Sequence, residues 1–145
     1  MNKILYTSNE IDRCSEIRTN FSYINEIIHS KNSRFVPIWN SKNFFLKVNE
    51  DINGLILTKN ELETIFSKIN LEKLIFLGKS NDIYYFSINV FSVTKIFPSE
   101  INKKEIICEE LRVYGGNLSE LESSLLALAK GMTFWHNKNK FCSIC

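Results

Sequence analysis

Short runs of aromatic and β-branched residues dominate the first two thirds of the chain, and these residue types favour strands. Such runs predict strands at residues 4–6, 34–39, 44–48 and 54–57. Two further runs, 74–78 and 83–90, flank the turn-forming residues 79–82, so we predict a β-hairpin. In its second strand, residues 84, 86, 88 and 90 alternate with 85, 87 and 89, which predicts one buried face and one wetter face.

Three segments carry helical signals. Residues 22–29 suggest a short helix, and Asn60 with Glu63 has the form of a capping box before an apolar face made by Leu62, Ile65, Phe66 and Ile69. The clearest helix follows Gly115-Gly116, where Ser119 and Glu122 form a second capping box. Its apolar positions recur at helical spacing to about His136, namely Leu121, Leu125, Leu128, Met132 and Trp135.

These elements predict an α+β fold in which a mostly antiparallel sheet packs with a few helices. A long C-terminal helix then leads into half of a zinc knuckle. We expect two parts, a domain over residues 1–117 and an extension over residues 118–145 that holds the helix and the metal-binding half-motif.

Composition, charge and the length of apolar runs limit the classes of function that this chain can have. With 145 residues, 44% of them hydrophobic, the chain can bury one core and carry a short extension. A formal net charge of +2 is too small to indicate nucleic acid or an acidic membrane surface as the partner. The chain has no apolar run of the ~18–20 residues that a bilayer span requires, and its start turns polar too early for a signal peptide. We therefore expect a cytoplasmic protein.

The cysteines supply the strongest chemical signal. Cys14 and Cys108 are isolated in sequence, and we expect ordinary core thiols there. Cys142 and Cys145 form a C-x-x-C pair, whose two thiolates can bind one tetrahedral Zn²⁺ that needs four ligands in a structural site. A redox pair and an incidental pair are the alternatives. A redox C-x-x-C usually opens a helix, whereas this pair follows one, so we favour half of a zinc site.

The residues before this pair resemble a known junction. An Ala-containing helix ends in Trp135-His136 and is followed by Phe141-Cys142-x-x-Cys145, as in the NADH pyrophosphatase family of Nudix hydrolases. Shorter pieces that resemble the same family occur upstream in the expected order: Ile11-Asp12-Arg13, Arg34-Phe35-Val36-Pro37-Ile38-Trp39, Phe76-Leu77-Gly78, Tyr85-Phe86-Ser87 and Leu111-Arg112. The resemblance spans nearly the whole chain.

The resemblance implies a Nudix-like, non-catalytic N-terminal domain and the first half of a four-cysteine zinc ribbon. In that family a catalytic Nudix domain follows and cleaves the pyrophosphate of NAD(H), giving NMN(H) and AMP, with the help of Mg²⁺ or Mn²⁺. Its Nudix box places glutamates on one helix face to hold the metal. The nearest set here is Glu105, Glu109 and Glu110, but its spacing is wrong and no arginine precedes it. We therefore expect a solvated charged segment there.

Three functional hypotheses remain open. We favour the non-catalytic part of a NADH pyrophosphatase, truncated or split from its catalytic half, because the chain ends after two of the four expected cysteines. The alternative is a stand-alone structural or assembly module that partners a separately encoded catalytic half, with a homodimer as a further arrangement. The third is an independent enzyme or small zinc protein. Under the first two, the chain alone is inactive.

Overall fold

The structure, a computed structural model, describes residues 10–66, 69–90 and 104–139. The predicted strand at residues 4–6 lies outside them. Six strands form one sheet: β1 (Ser33–Trp39), β2 (Lys42–Val48), β3 (Asp51–Gly54), β4 (Ile75–Ser80), β5 (Ile83–Asn89) and β6 (Lys104–Glu109). The order is β3-β2-β1-β5-β4, and β6 pairs with β2.

The α+β class is confirmed, and the sheet is mixed. Strands β1 and β5 run parallel, with Phe35 opposite Phe86, while the other strand pairs are antiparallel. Two tight hairpins turn on two residues with positive φ, Asn40-Ser41 between β1 and β2 and Asn81-Asp82 between β4 and β5, whereas the β2–β3 hairpin has positive φ at Asn49 of its two turn residues. Two such residues match the right-handed twist of the flanking strands. The predicted β4–β5 hairpin is therefore confirmed, with a turn shorter than residues 79–82.

The helices are α1 (Phe21–Ile28), α2 (Lys59–Ile65), α3 (Leu111–Tyr114) and α4 (Glu120–Asn139), with 3₁₀ turns at Leu71–Lys73 and Gly115–Asn117. The predictions at 22–29 and after Gly116 are confirmed, although α4 continues past His136. Within the described residues, no helix is long and apolar enough to cross a membrane.

Helix α2 corrects the predicted capping box. Thr58, not Asn60, is the N-cap: its Oγ1 accepts from Glu61 N at 3.3 Å, and Glu61 Oε2 accepts from Thr58 N at 2.9 Å. Thr58 precedes the first helical residue and has an extended backbone, as a cap requires, whereas Asn60 already lies inside the helix. The predicted strand at 54–57 is also displaced, because β3 ends at Gly54.

The sheet is buried on both faces. One cluster, the α1–α2 core, contains Phe35, Phe44, Leu62, Phe66 and Phe86; the other, the α4 core, contains Val36, Ile38, Phe45, Leu77, Leu125, Leu126 and Ala129. Neighbouring residues on one strand, such as Phe35 and Val36, belong to opposite clusters because side chains alternate across a strand. The prediction of a wetter face on β5 is wrong, since α4 covers Tyr85 and Ser87.

Helix α4 packs across this second face. Its capping box is confirmed: Ser119 Oγ accepts from Glu122 N at 3.2 Å. In mid-helix the side-chain amide of Asn43, itself fully buried on β2, donates to Leu126 O at 3.0 Å. Leu125, Leu126 and Ala129 are fully buried, whereas the Trp135 side chain is 54% exposed. Of the predicted stripe, Leu125 is thus fully buried, and Leu121, Leu128 and Met132 are partly buried against the α4 core, whereas Trp135 lies outside the buried face. The division at residue 117 stays a prediction.

Candidate functional site

The predicted metal ligands Cys142 and Cys145 lie outside the described residues. The nearest described candidate is His136, an exposed side chain in the last turns of α4 whose ring meets Trp135 edge-on at 5.2 Å between centroids. Within residues 10–66, 69–90 and 104–139, no three His, Cys, Asp or Glu side chains are grouped so that they could hold a metal ion. The described residues thus offer no closed zinc site of their own.

Cys14 and Cys108 are structural thiols. Cys14 is 4% exposed and Cys108 half-buried, and burial raises the pKa of both thiols. A raised pKa keeps the thiol protonated, which disfavours nucleophilic attack and metal ligation. Cys108 packs against the α1–α2 core, on the face of the sheet opposite α4. It therefore does not join His136 in one site.

The three glutamates near residue 107 do not form a metal-binding helix face. Glu105 and Glu109 lie on strand β6, and Glu110 occupies the position before the first residue of α3 without a side-chain capping hydrogen bond. Glu110 Oε2 accepts from Lys130 Nζ at 2.9 Å, and this hydrogen bond holds the pKa of the Glu110 carboxyl below its usual value. The pair joins the start of α3 to α4. A structural role accounts for Glu110, in agreement with the sequence-based rejection of a Nudix box.

Described residues form a cleft of about 780 Å³ beside the edge strand β4, which we name the β4-edge cleft. One wall is α1 with the loop before it, the floor is formed by Leu74, Ile75 and Phe76, and the other wall is Met132 and His136 of α4. A second hollow of about 480 Å³ continues it past His136. The floor and the inner wall are apolar, whereas Ser15, Arg18, Thr19, Ser22, Asn25 and Glu72 provide polar groups at the margin.

The chemistry of the cleft suits binding more than catalysis. An apolar floor with polar groups at its margin is typical of binding sites. His136 lines the wall, and in the described parts of the chain it belongs to no group of three or more His, Cys, Asp or Glu side chains that could hold a metal ion. We find no described group here that is poised as a nucleophile or as a general base.

Sequence reasoning missed this cleft. Its walls come from α1, the 3₁₀ turn Leu71–Lys73 and α4, which are far apart in the sequence. The sequence carries one local sign of an apolar surface here. Phe21 is a large apolar residue at the start of α1, whereas the buried positions of that helix are Ile27 and Ile28. Phe21 is 81% exposed and lies at the margin of the cleft. A helical pattern alone does not reveal that its neighbours form a cavity.

Comparison with known proteins adds no assignment. The chain matches no protein-family model and no curated protein.

Proposed function

We propose that this chain is the N-terminal, non-catalytic part of a NADH pyrophosphatase-type Nudix hydrolase. Its role is structural: it supports a catalytic Nudix domain that holds Mg²⁺ or Mn²⁺ and cleaves NAD(H). That catalytic domain acts in cis in a longer protein, or in trans if it is separately encoded.

One observation carries the proposal: two distant pieces of the resemblance meet in the fold. Asp12, from Ile11-Asp12-Arg13, exchanges two backbone hydrogen bonds of 2.8 Å with Lys79, the residue after Phe76-Leu77-Gly78. Gly78 has φ +148°, and a Cβ on it would meet Asp12 O at 2.5 Å. The close approach accounts for a glycine at the end of the second piece.

The remaining pieces supply the sheet and its packing. Residues 34–39 form most of β1, the strand that joins the two halves of the sheet, and Phe35 stacks on Phe86 of β5 with 5.6 Å between ring centroids. Leu111, from the Leu-Arg piece, is buried in the α4 core. Residues that carry the resemblance thus serve the fold, which supports a non-catalytic domain.

In this proposal, Cys142 and Cys145 are the residues of this chain that bind zinc. Two thiolates are half of a structural zinc site, and the other two ligands would come from a second cysteine pair. The described residues contribute at most His136 near the end of α4.

The enzymatic test is incubation of the purified chain with NADH and Mg²⁺ or Mn²⁺, followed by measurement of AMP. We expect no turnover, because the sequence lacks the glutamate cluster that holds the metal against a diphosphate. Turnover that co-purifies with the protein and scales with its concentration would contradict the proposal.

The genetic test is the nucleotide sequence downstream of codon 145. We expect a second C-x-x-C and a Nudix box, either in frame or in a neighbouring reading frame. If both are found in a separate reading frame, adding that polypeptide to the chain should restore NADH hydrolysis. A genomic neighbourhood with neither motif would count against the assignment.

A further inference from the structure

The second hollow, past His136, gathers three asparagine side chains from distant parts of the chain, and we name it the amide hollow. Asn70 lies directly before the 3₁₀ turn Leu71–Lys73, Asn89 ends β5, and Asn137 lies near the end of α4. Each primary amide carries two N–H donors and one carbonyl acceptor. The volume of about 480 Å³ is within the range of about 300–1,000 Å³ that is usual for small-molecule sites.

These amides are available to a ligand. The side chains of Asn89 and Asn137 make no hydrogen bond among the described residues. Asn70 uses its Oδ1, which accepts from Glu72 N at 3.0 Å, and its two N–H donors remain. Asn89 is half-buried, so its amide has lost part of its hydration, and a ligand that forms hydrogen bonds with it offsets that cost.

The base of the amide hollow is also polar. Thr133 lines it and is 4% exposed, and its Oγ1 donates to Oγ of the fully buried Ser87 at 3.4 Å. That distance is long for a hydrogen bond between hydroxyl groups. The rest of the α4 core is made by apolar side chains such as Leu125 and Leu126. A weakly bonded hydroxyl at the base of the hollow points to a polar occupant.

The charges around the hollow cancel. Lys73 and Glu72 both line it, and His136 is neutral in the formal charge count. A lining with one cation and one carboxylate gives no preference for an anionic or a cationic ligand. Leu74 and Ile75 add an apolar patch against which the carbon atoms of a ligand can pack.

We propose that the amide hollow binds a neutral polyhydroxylated small molecule, a monosaccharide or a polyol. Each hydroxyl group both donates and accepts a hydrogen bond, which matches the amides of Asn70, Asn89 and Asn137. The carbon framework packs on Leu74 and Ile75. This binding is reversible, includes no chemical step, and is independent of zinc and of the proposed enzyme family.

The experiment is a titration of the ¹⁵N-labelled full chain with D-glucose, D-ribose and glycerol, followed by NMR. The side-chain NH₂ signals of the three asparagines report the site directly. We expect saturable shifts of these signals for at least one of the three probes, with a dissociation constant in the millimolar range that is usual for so small a ligand.

Two variants locate the site. Asn89→Leu keeps the size of the side chain and removes its amide, so it should raise the dissociation constant by about tenfold or more. Asn137→Trp places a large ring at the exposed margin of the hollow and should abolish binding while the thermal unfolding midpoint stays unchanged. The matched control is Asn60→Leu, because Asn60 is an exposed residue of α2, the helix on the other face of the sheet. It should bind as the wild type does.

A hydroxyl-rich ligand can be a free sugar or the ribose of a nucleotide, and titration with AMP distinguishes the two. Because the charges of the lining cancel, we expect AMP to bind no more tightly than D-ribose. Shifts with AMP but with none of the three neutral probes would overturn the proposal. So would the absence of any saturable shift, or binding that is insensitive to both Asn89→Leu and Asn137→Trp.

Discussion

At the scale of single residues, two positions with positive φ lie where the segment at residues 11–14 meets β4. Cys14 has φ 48°, a left-handed conformation that non-glycine residues seldom adopt, and its N–H donates to Asp12 Oδ1 at 2.9 Å. Directly opposite, Gly78 has φ +148° and lies against the Asp12 carbonyl. The Asp12–Lys79 hydrogen bonds join the segment to the edge of the sheet at this contact.

Gly78→Ala should therefore lower the free energy of unfolding by about 2–4 kcal/mol, from the unfavourable φ and the clash with backbone. Gly131→Ala is the matched control, because Gly131 lies in α4 and a Cβ there has no neighbour within 4 Å. Alanine should stabilise that helix by up to about 1 kcal/mol. Urea denaturation of both variants measures the difference, and equal midpoints would show that residue 78 is not constrained as described.

At the scale of elements, α4 is the helix that completes the fold. Leu125 and Leu126 are fully buried on the sheet, Thr133 Oγ1 lies 3.4 Å from Ser87 Oγ, and Lys130 pairs with Glu110 at 2.9 Å. Apolar burial supplies most of the attachment, and the polar contacts orient the helix. The same orientation leaves Trp135 54% exposed.

Leu125→Ala should cost about 2–5 kcal/mol of unfolding free energy, because it leaves a cavity under the helix. Trp135→Ala should cost no more than about 1 kcal/mol, because half-exposed side chains lose little burial on truncation. Glu122 and Lys130 are unsuitable as neutral controls, since Glu122 completes the helix cap and Lys130 holds Glu110. If chemical denaturation gave equal losses for the two truncations, the packing orientation of α4 would be wrong.

At the scale of the whole molecule, two apolar clusters enclose one mixed sheet. The α1–α2 core and the α4 core share the strands between them, so apolar side chains of the described residues stabilise each face of the sheet. Cys142 and Cys145, the predicted half of a zinc site, lie outside the described residues. Folding of the domain is therefore expected to be independent of zinc.

Removal of zinc by a chelator should leave the far-UV circular dichroism spectrum and the thermal midpoint of the chain unchanged. Any zinc present should exchange readily, because two thiolates are only half of a structural site. Elemental analysis before and after chelation measures this, with Cys142→Ser expected to reduce zinc retention and Cys108→Ser expected not to. One tightly held zinc per monomer whose loss unfolds the chain would contradict the half-site.

Local sequence was sufficient wherever the deciding contacts lie within a few residues. Ser119 and Glu122 defined the start of α4, and alternating residues around an Asn-Asp turn defined the β4–β5 hairpin, because caps and tight turns depend on near neighbours. At α2 the predicted N-cap was Asn60, whereas the observed N-cap is Thr58. The extended backbone of Thr58, directly before Lys59, decides the start of the helix.

Tertiary structure decided everything that depends on distant segments. The parallel pairing of β1 with β5, the burial of Tyr85 and Ser87 under α4, and the exposure of Trp135 each require contacts between residues far apart in the chain. The β4-edge cleft is of the same kind, since three elements form it. Cys142 and Cys145 remain a prediction from sequence alone. Periodicity shows that a helix has an apolar face, but only the packed sheet determines which residues that face buries.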